Sequence, residues 1–275
     1  MQLTALLSAS LLLVACGSTD GSDINKKAYQ PKLATGETYP TYYNDIERIV
    51  IKDVMTKWFD ETGKGILSYG LEDAVRAEGH ACYLVTGGFL MAREGLKALK
   101  KKYEEDPNQD VTSSYDYEDK VMYRGGIKVT MSGEEGTGSG LNAVGGVLHF
   151  ITGASGSSGF KKGPDFPFAN RQNLFAYDSN MTGVKAIFTS MTTTYTMDGE
   201  QVPYSECKGT WMIKKDGNKV PKCIETTACD KSIKISYSIN TPKDKPWTER
   251  VKYILDHVDE AITIEDVDNP AEICN

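Results

Sequence analysis

The sequence predicts an α+β fold, and three observations carry that expectation. Apolar residues recur at helical spacing over much of residues 43–103. Period-two alternation marks strands at 126–131 and 231–239. From Thr192 onward Thr and Tyr are frequent and turns lie close together, which reads as a β-rich region.

The elements follow in order. From Tyr43 to Thr62, Ile46, Ile49, Val50, Val54, Trp58 and Phe59 recur at spacings of three and four and predict a helix that Gly63 and Gly65 stop. Leu71–Glu78 reads as a second helix, broken at Gly79. A long helix is predicted from after Cys82 to about Tyr103, with Leu84, Val85, Phe89, Ala92, Leu96 and Leu99 apolar. Gly87 and Gly88 cost it roughly 1 kcal/mol each relative to alanine. That cost is easiest to explain if another backbone or a ligand packs closely there. Asp106-Pro107-Asn108 marks a turn.

Gly126–Met131 is a predicted strand, followed by a glycine-rich loop from Gly133 to Gly140, a mostly buried helix over Leu141–Thr152 and a second glycine-rich loop from Ala154 to Pro167. Asn173–Tyr177 and Lys185–Thr189 are short strand candidates. Lys215-Asp216-Gly217-Asn218 reads as a hairpin turn between 209–213 and 219–220. A two-residue turn at Asp216-Gly217 sets Cys207 opposite position 226, midway between Cys223 and Cys229. Trp247–Ile262 reads as an amphipathic helix with Val251, Ile254, Leu255, Val258 and Ile262 inward.

Composition excludes one class of partner. The 275 residues carry a formal net charge of -7, which argues against nucleic acid. The N-terminus points to a membrane instead. Residues 1–16 hold no charge and run apolar from Leu3 to Ala15, too short for a permanent span of about 20 residues. Leu13-Val14-Ala15-Cys16, followed by Gly17-Ser18-Thr19-Asp20, resembles the lipobox of bacterial lipoproteins, although no Lys or Arg precedes the apolar run. The resemblance implies cleavage before Cys16, acyl chains such as palmitate on that cysteine, and a lipid-anchored place in the cell envelope, at the periplasmic face of the outer membrane or the cell surface. Four segments are then expected: a signal peptide (1–15), a polar tether (16–40), an α+β core (41–190) and a C-terminal β-rich module ending in a helix (191–275).

Outside the cytoplasm thiols tend to pair. With Cys16 taken by lipid, five cysteines remain, so at least one is unpaired. The economical assignment is two disulfides among Cys207, Cys223, Cys229 and Cys274, with the connectivity open and Cys82 free. A four-cysteine zinc site is the weaker alternative, because the close C-x2-C knuckle is missing. His80 and Cys82, two residues apart in Gly79-His80-Ala81-Cys82, are the candidate metal ligands, through an imidazole nitrogen and a thiolate. A third ligand must come from elsewhere in the chain, from substrate or from water. The plainer reading is a buried thiol beside a helix-capping histidine.

Gly79-His80-Ala81-Cys82-Tyr83-Leu84-Val85-Thr86-Gly87-Gly88, followed by Leu96 and Leu99, resembles the signature G-H-x-C-P-G-x-x-x-G of the FmdE family, which takes its name from a component of formylmethanofuran dehydrogenase. Asn142-Ala143-Val144 and Ile151-Thr152-Gly153-Ala154-Ser155 are similar to its D-A-V-Q and T-G-C-T segments. The match covers roughly residues 68–178. Tyr83 stands where the family has proline, Asn142 where it has aspartate and Ala154 where it has cysteine, and the C-terminal zinc ribbon of some members is absent. The resemblance implies helices packed on a mixed sheet and a pocket for a transition metal (zinc or iron) or another small ligand. Gly79, Gly87, Gly88, Asn142, Gly153 and Ser155 would line that pocket, and His149 is the first candidate for a third ligand. Without the resemblance His149 reads as a satisfied core histidine, and His257 as a surface one.

A nucleotide cofactor is considered and set aside. Gly138-Ser139-Gly140-Leu141-Asn142-Ala143 fits G-x-G-x-x-A, Thr152–Gly159 looks like the phosphate loop of short-chain dehydrogenases, and Tyr204 and Lys208 form a Tyr-x-x-x-Lys pair. The second loop, however, runs into Lys161-Lys162-Gly163-Pro164 rather than a helix N-terminus that could hold pyrophosphate. The expected function is therefore metal or metal-cofactor binding at His80 and Cys82 in an envelope lipoprotein. A non-catalytic surface or scaffold lipoprotein is the competing expectation, and NAD(P)-dependent oxidoreduction a remote one.

Overall fold

The computed structural model describes residues 39–53, 56, 63–108, 114–132, 139–155, 175–178, 184–202, 211–213, 219–221 and 223–270. The signal peptide, Cys16 and the tether as far as residue 38 lie outside the described residues, as do most of both glycine-rich loops, Tyr204, Lys208, Cys207, Cys274 and the turn at 214–218.

The first described residues make a 3-10 turn at Thr41–Asp45 and then strand β1 (Ile49–Lys52), paired antiparallel with β2 (Ile66–Tyr69). The helix predicted over 43–62 therefore fails at residues 49–52. Ile49, Val50 and Ile51 form an unbroken β-branched run, which is stiff in a helix and favoured on a pleated surface. Ile49 and Ile51 are buried and Val50 is exposed, so the same apolar residues satisfy a period of two once Ile66–Tyr69 supplies a ladder.

The next two helices form where they were predicted. Helix α1 (Leu71–Glu78) begins with Asp73 accepting the Gly70 N–H at 2.8 Å and ends at Gly79, whose φ of 78° is the left-handed cap that favours glycine. Arg48 braces the α1 N-terminus by pairing with Glu72 and, at 3.0 Å, with Asp73. Helix α2 (Tyr83–Glu104) starts from Cys82 in extended conformation. It buries both sides of its first three turns, Val85 through Ala92, which is the signature of a helix covered by several neighbours.

A short hairpin, β3 (Tyr115–Asp116) with β4 (Val121–Met122), leads into β5 (Ile127–Ser132) and helix α3 (Ser139–Thr152). Strands β6 (Phe175–Asp178), β7 (Val184–Met197) and β8 (Glu200–Val202) follow, then the separate hairpin of β9 (Trp211–Ile213) and β10 (Lys219–Pro221), and β11 (Ile224–Tyr237). Helix α4 (Trp247–Asp256), helix α5 (Val258–Ala261) and β12 (Ile262–Asp266) close the described chain. The main sheet runs β12-β11-β7-β5-β6, with β8 on β7. Its β5–β6 pair is parallel and its other pairs are antiparallel, so the α+β class is observed and the sheet is mixed.

Three expectations change in the C-terminal half. The domain boundary at 190/191 falls inside β7, which pairs with β11 without interruption from Lys185↔Ser236 to Thr196↔Ile224 except for a bulge at Asp230–Lys231. Residues 39–275 accordingly form one compact unit. The helix predicted to Ile262 ends at Asp256. After His257 and the short α5, Ile262 turns into β12 opposite Tyr237, an edge that periodicity alone does not reveal. Hairpin β9–β10 pairs Ile213 with Lys219, one residue away from the predicted register.

Helix α2 lies against β7 and β11 on one side and α3 on another, and its glycines make this possible. A β-carbon at Gly87 would overlap the buried Tyr237 ring of β11. One at Gly95 would press on the Phe188 ring of β7 at 3.2 Å. One at Gly88 would lie 3.1 Å from Val147 and 3.2 Å from the Val144 backbone of α3. The helix-propensity cost foreseen in the sequence is thus offset by close packing.

Candidate functional site

The Gly79–Cys82 corner joins α1 to α2. Gly79 reverses the chain, His80 is exposed, and Ala81 and Cys82 lean on the core. Cys82 works as a backbone cap: its carbonyl accepts the Thr86 N–H at 3.0 Å and the Thr86 hydroxyl at 2.9 Å. It is half-buried and is the free cysteine of the described residues, while Cys223 and Cys229 are disulfide-bonded.

His80 Nδ1 bonds back to the Glu78 carbonyl at 3.0 Å, which folds its ring toward α1. Glu78 has its carboxylate over Gly146 of α3, where a side chain would collide with it. Burial pushes the Glu78 carboxyl above its usual range, and nearby His80 offsets part of that rise. Tyr237 closes the corner from the sheet. Its hydroxyl donates to the Tyr83 carbonyl at 2.8 Å, and burial, with Cys82 close by, pushes its phenol upward.

The other predicted pocket residues disperse. His149 is exposed rather than a core histidine, and its Nδ1 meets the Ala154 carbonyl beyond the end of α3. Gly153, at φ 75°, ends α3 as Gly79 ends α1, and its N–H donates to the His149 carbonyl at 2.9 Å. Asn142 is exposed near the start of α3, and Ser155 is half-buried. Gly87 and Gly88 face Tyr237 and α3, so protein atoms fill the space assigned to a ligand. Among the described residues no three His, Cys, Asp or Glu side chains converge to hold an ion. These residues do not by themselves fit a three-ligand metal centre, and His80 with Cys82 would need completion from outside.

Two groups escaped the sequence reading. One is a stack of Tyr83 on Trp247, ring centroids 5.9 Å apart, with the Arg250 guanidinium 4.8 Å over Trp247. Trp247 continues the stripe of Val251 and Ile254 at spacings of four and seven, so the sequence held no sign that it stays exposed. The other is an ionic cluster in which Lys52 pairs with Asp116 and, at 2.7 Å, with Asp119, while the Tyr123 hydroxyl donates to Asp116 at 2.7 Å. It has no local signal, because Lys52 and Asp116 are 64 residues apart. Comparison with protein-family models, with curated proteins and with solved structures finds no match to this chain.

Proposed function

We propose that this chain is an exported, lipid-anchored protein of the bacterial cell envelope whose folded unit is a non-catalytic surface module. The observation that carries this reading is the use of the motif glycines. Gly79 caps α1, and Gly87 and Gly88 seat α2 against Tyr237 and α3, so the Gly-His-x-Cys segment works as a packing corner. That corner, with α3 and the mixed sheet, is read as the core which the FmdE resemblance implies. The C-terminal part is read as braced by two disulfides among Cys207, Cys223, Cys229 and Cys274. The lipobox-like Leu13-Val14-Ala15-Cys16 supports the anchor.

A second reading keeps His80 and Cys82 as two ligands of a zinc or iron ion completed by an outside donor. It is favoured by the reduced Cys82 thiol and by the Glu78 carboxyl beside His80. Elemental analysis of the purified protein separates the two. The packing reading expects no stoichiometric metal and the same metal content in Cys82→Ala. One equivalent of zinc or iron that disappears in that variant overturns it.

A further inference from the structure

We infer that the face formed by Tyr83, Trp247 and Arg250 docks on the surface of a lipid bilayer, an inference that rests on the lipid anchor proposed above. Tyr83 and Trp247 are 41 % and 48 % exposed, unusual for large aromatic side chains, and they stack on each other. Trp247 opens α4 on the same helical face as the buried Val251 and Ile254, one turn before them, and is still left half exposed. Arg250 is fixed above the Trp247 ring by donating to the Lys243 carbonyl and, at 2.7 Å, to the Lys245 carbonyl.

The charge beside this stack is slightly positive in an acidic protein. Residues 243–250 hold Lys243, Lys245 and Arg250 against Asp244 and Glu249, a net charge of +1, with Lys245 and Glu249 paired at 3.5 Å. Trp and Tyr with neighbouring Lys and Arg are the residues that settle at the headgroup level of a membrane, and cations there are drawn to anionic lipid.

The position of the chain's N-terminal side supplies the occupant. The Tyr42 hydroxyl donates to the Thr248 carbonyl at 3.0 Å, so the chain joins the folded unit beside Trp247. Residues 17–41 separate Tyr42 from Cys16 and reach at most about 90 Å when extended. An acylated Cys16 therefore keeps the folded unit within that reach of the bilayer, where even a weak surface contact is populated. A glycan partner suits the patch less well. Sugars stack on open ring faces, whereas Tyr83 and Arg250 already lie against Trp247.

The test uses the chain from Gly17 to Asn275, which lacks the acylated cysteine but keeps the whole compact unit, with vesicles of phosphatidylethanolamine and phosphatidylglycerol. Flotation is expected to recover bound protein, and the double variant Tyr83→Ala/Trp247→Ala is expected to lose about tenfold in affinity while keeping its melting temperature. Hydrogen exchange of the unsubstituted chain should show vesicle-dependent protection at Tyr83 and across Lys243–Arg250, a readout that does not depend on how the variant folds. No flotation and no protection overturns the docking face, and so does retention on peptidoglycan, but not on vesicles, that requires Trp247. Mass spectrometry of the protein from bacterial envelopes tests the anchor separately. An unmodified Cys16 sinks the anchor without changing the vesicle result.

Discussion

Two regions of this protein join distant segments of the chain, and they do so by opposite means. At the α1–α2 corner the contacts are steric: Gly87 lies under the Tyr237 ring and Gly88 against the α3 backbone. At the β1–β4 junction they are electrostatic: the Lys52 ammonium sits between Asp116 and Asp119, nearly closed off from water, with Lys64 reaching Asp119 from outside at 2.6 Å. A steric contact has no partner to lose and fails when a methyl group is added. An ionic contact tolerates added volume and fails when one charge is removed or titrated. The comparison shows two kinds of vulnerability within one compact unit.

The largest expected effect comes from breaking the ionic side. Lys52→Met leaves Asp116 and Asp119 facing each other partly buried, and should cost about 3 kcal/mol in urea unfolding. Adding Asp116→Asn should restore part of that loss. A cost near zero for Lys52→Met would erase the contrast between the regions.

The steric side should respond next. Gly87→Ala gains about 1 kcal/mol of helix propensity but drives a methyl into a ring held by its hydroxyl bond to Tyr83, for a net loss of about 2 kcal/mol. Gly146→Ala is the sharpening control. Its new methyl meets the end of the flexible Glu78 side chain, which can swing away, so its stability should stay within about 0.5 kcal/mol of the parent. Equal losses for the two variants would mean that ring position is not what sets the cost.

The smallest effect is the pH response that Asp116 gives the ionic side. Burial raises the Asp116 carboxyl, but Lys52, the Asp119 N–H and the Tyr123 hydroxyl outweigh it and hold it at about 2, below its ordinary 3.8. The native state thus binds fewer protons than the unfolded state between these values. The stabilisation is complete above pH 3.8 and is lost as the pH falls through about 2. After solvent screening it amounts to something on the order of 1 kcal/mol. Asp116→Asn should remove this part of the acid limb of a stability-against-pH curve, and Gly87→Ala should leave it unchanged.

How legible each part was in the sequence depends on how local its cause is. Helices α1 and α2 could be read because Gly79 ends one of them and the apolar stripe of the other runs unbroken to Tyr103. The stretch around Ile49 could not, because Ile49, Val50 and Ile51 fit either period and the choice belongs to Ile66–Tyr69, at least 14 residues away. Ile262 was misplaced for the same reason, since its partner Tyr237 is on another strand. In the candidate site the glycine cost at 87 and 88 was visible but its occupant was not: a ring from residue 237 and a helix from residues 139–152 fill the space that a ligand was expected to take.

By itself the sequence determined the α+β class, the bounds of the helical corner, the oddness of Cys82 among the cysteines and the lipobox-like terminus, all of which rest on residues close together in the chain. Only the tertiary structure decided that β7 runs through the expected domain boundary, that His149 stands apart at the exposed end of α3, that Lys52 finds Asp116, and that Trp247 stacks on Tyr83 beside the point where the chain joins the unit. Each of these is a pairing between distant segments. A chain's local preferences limit such pairings, but closing the loops between them is what selects one.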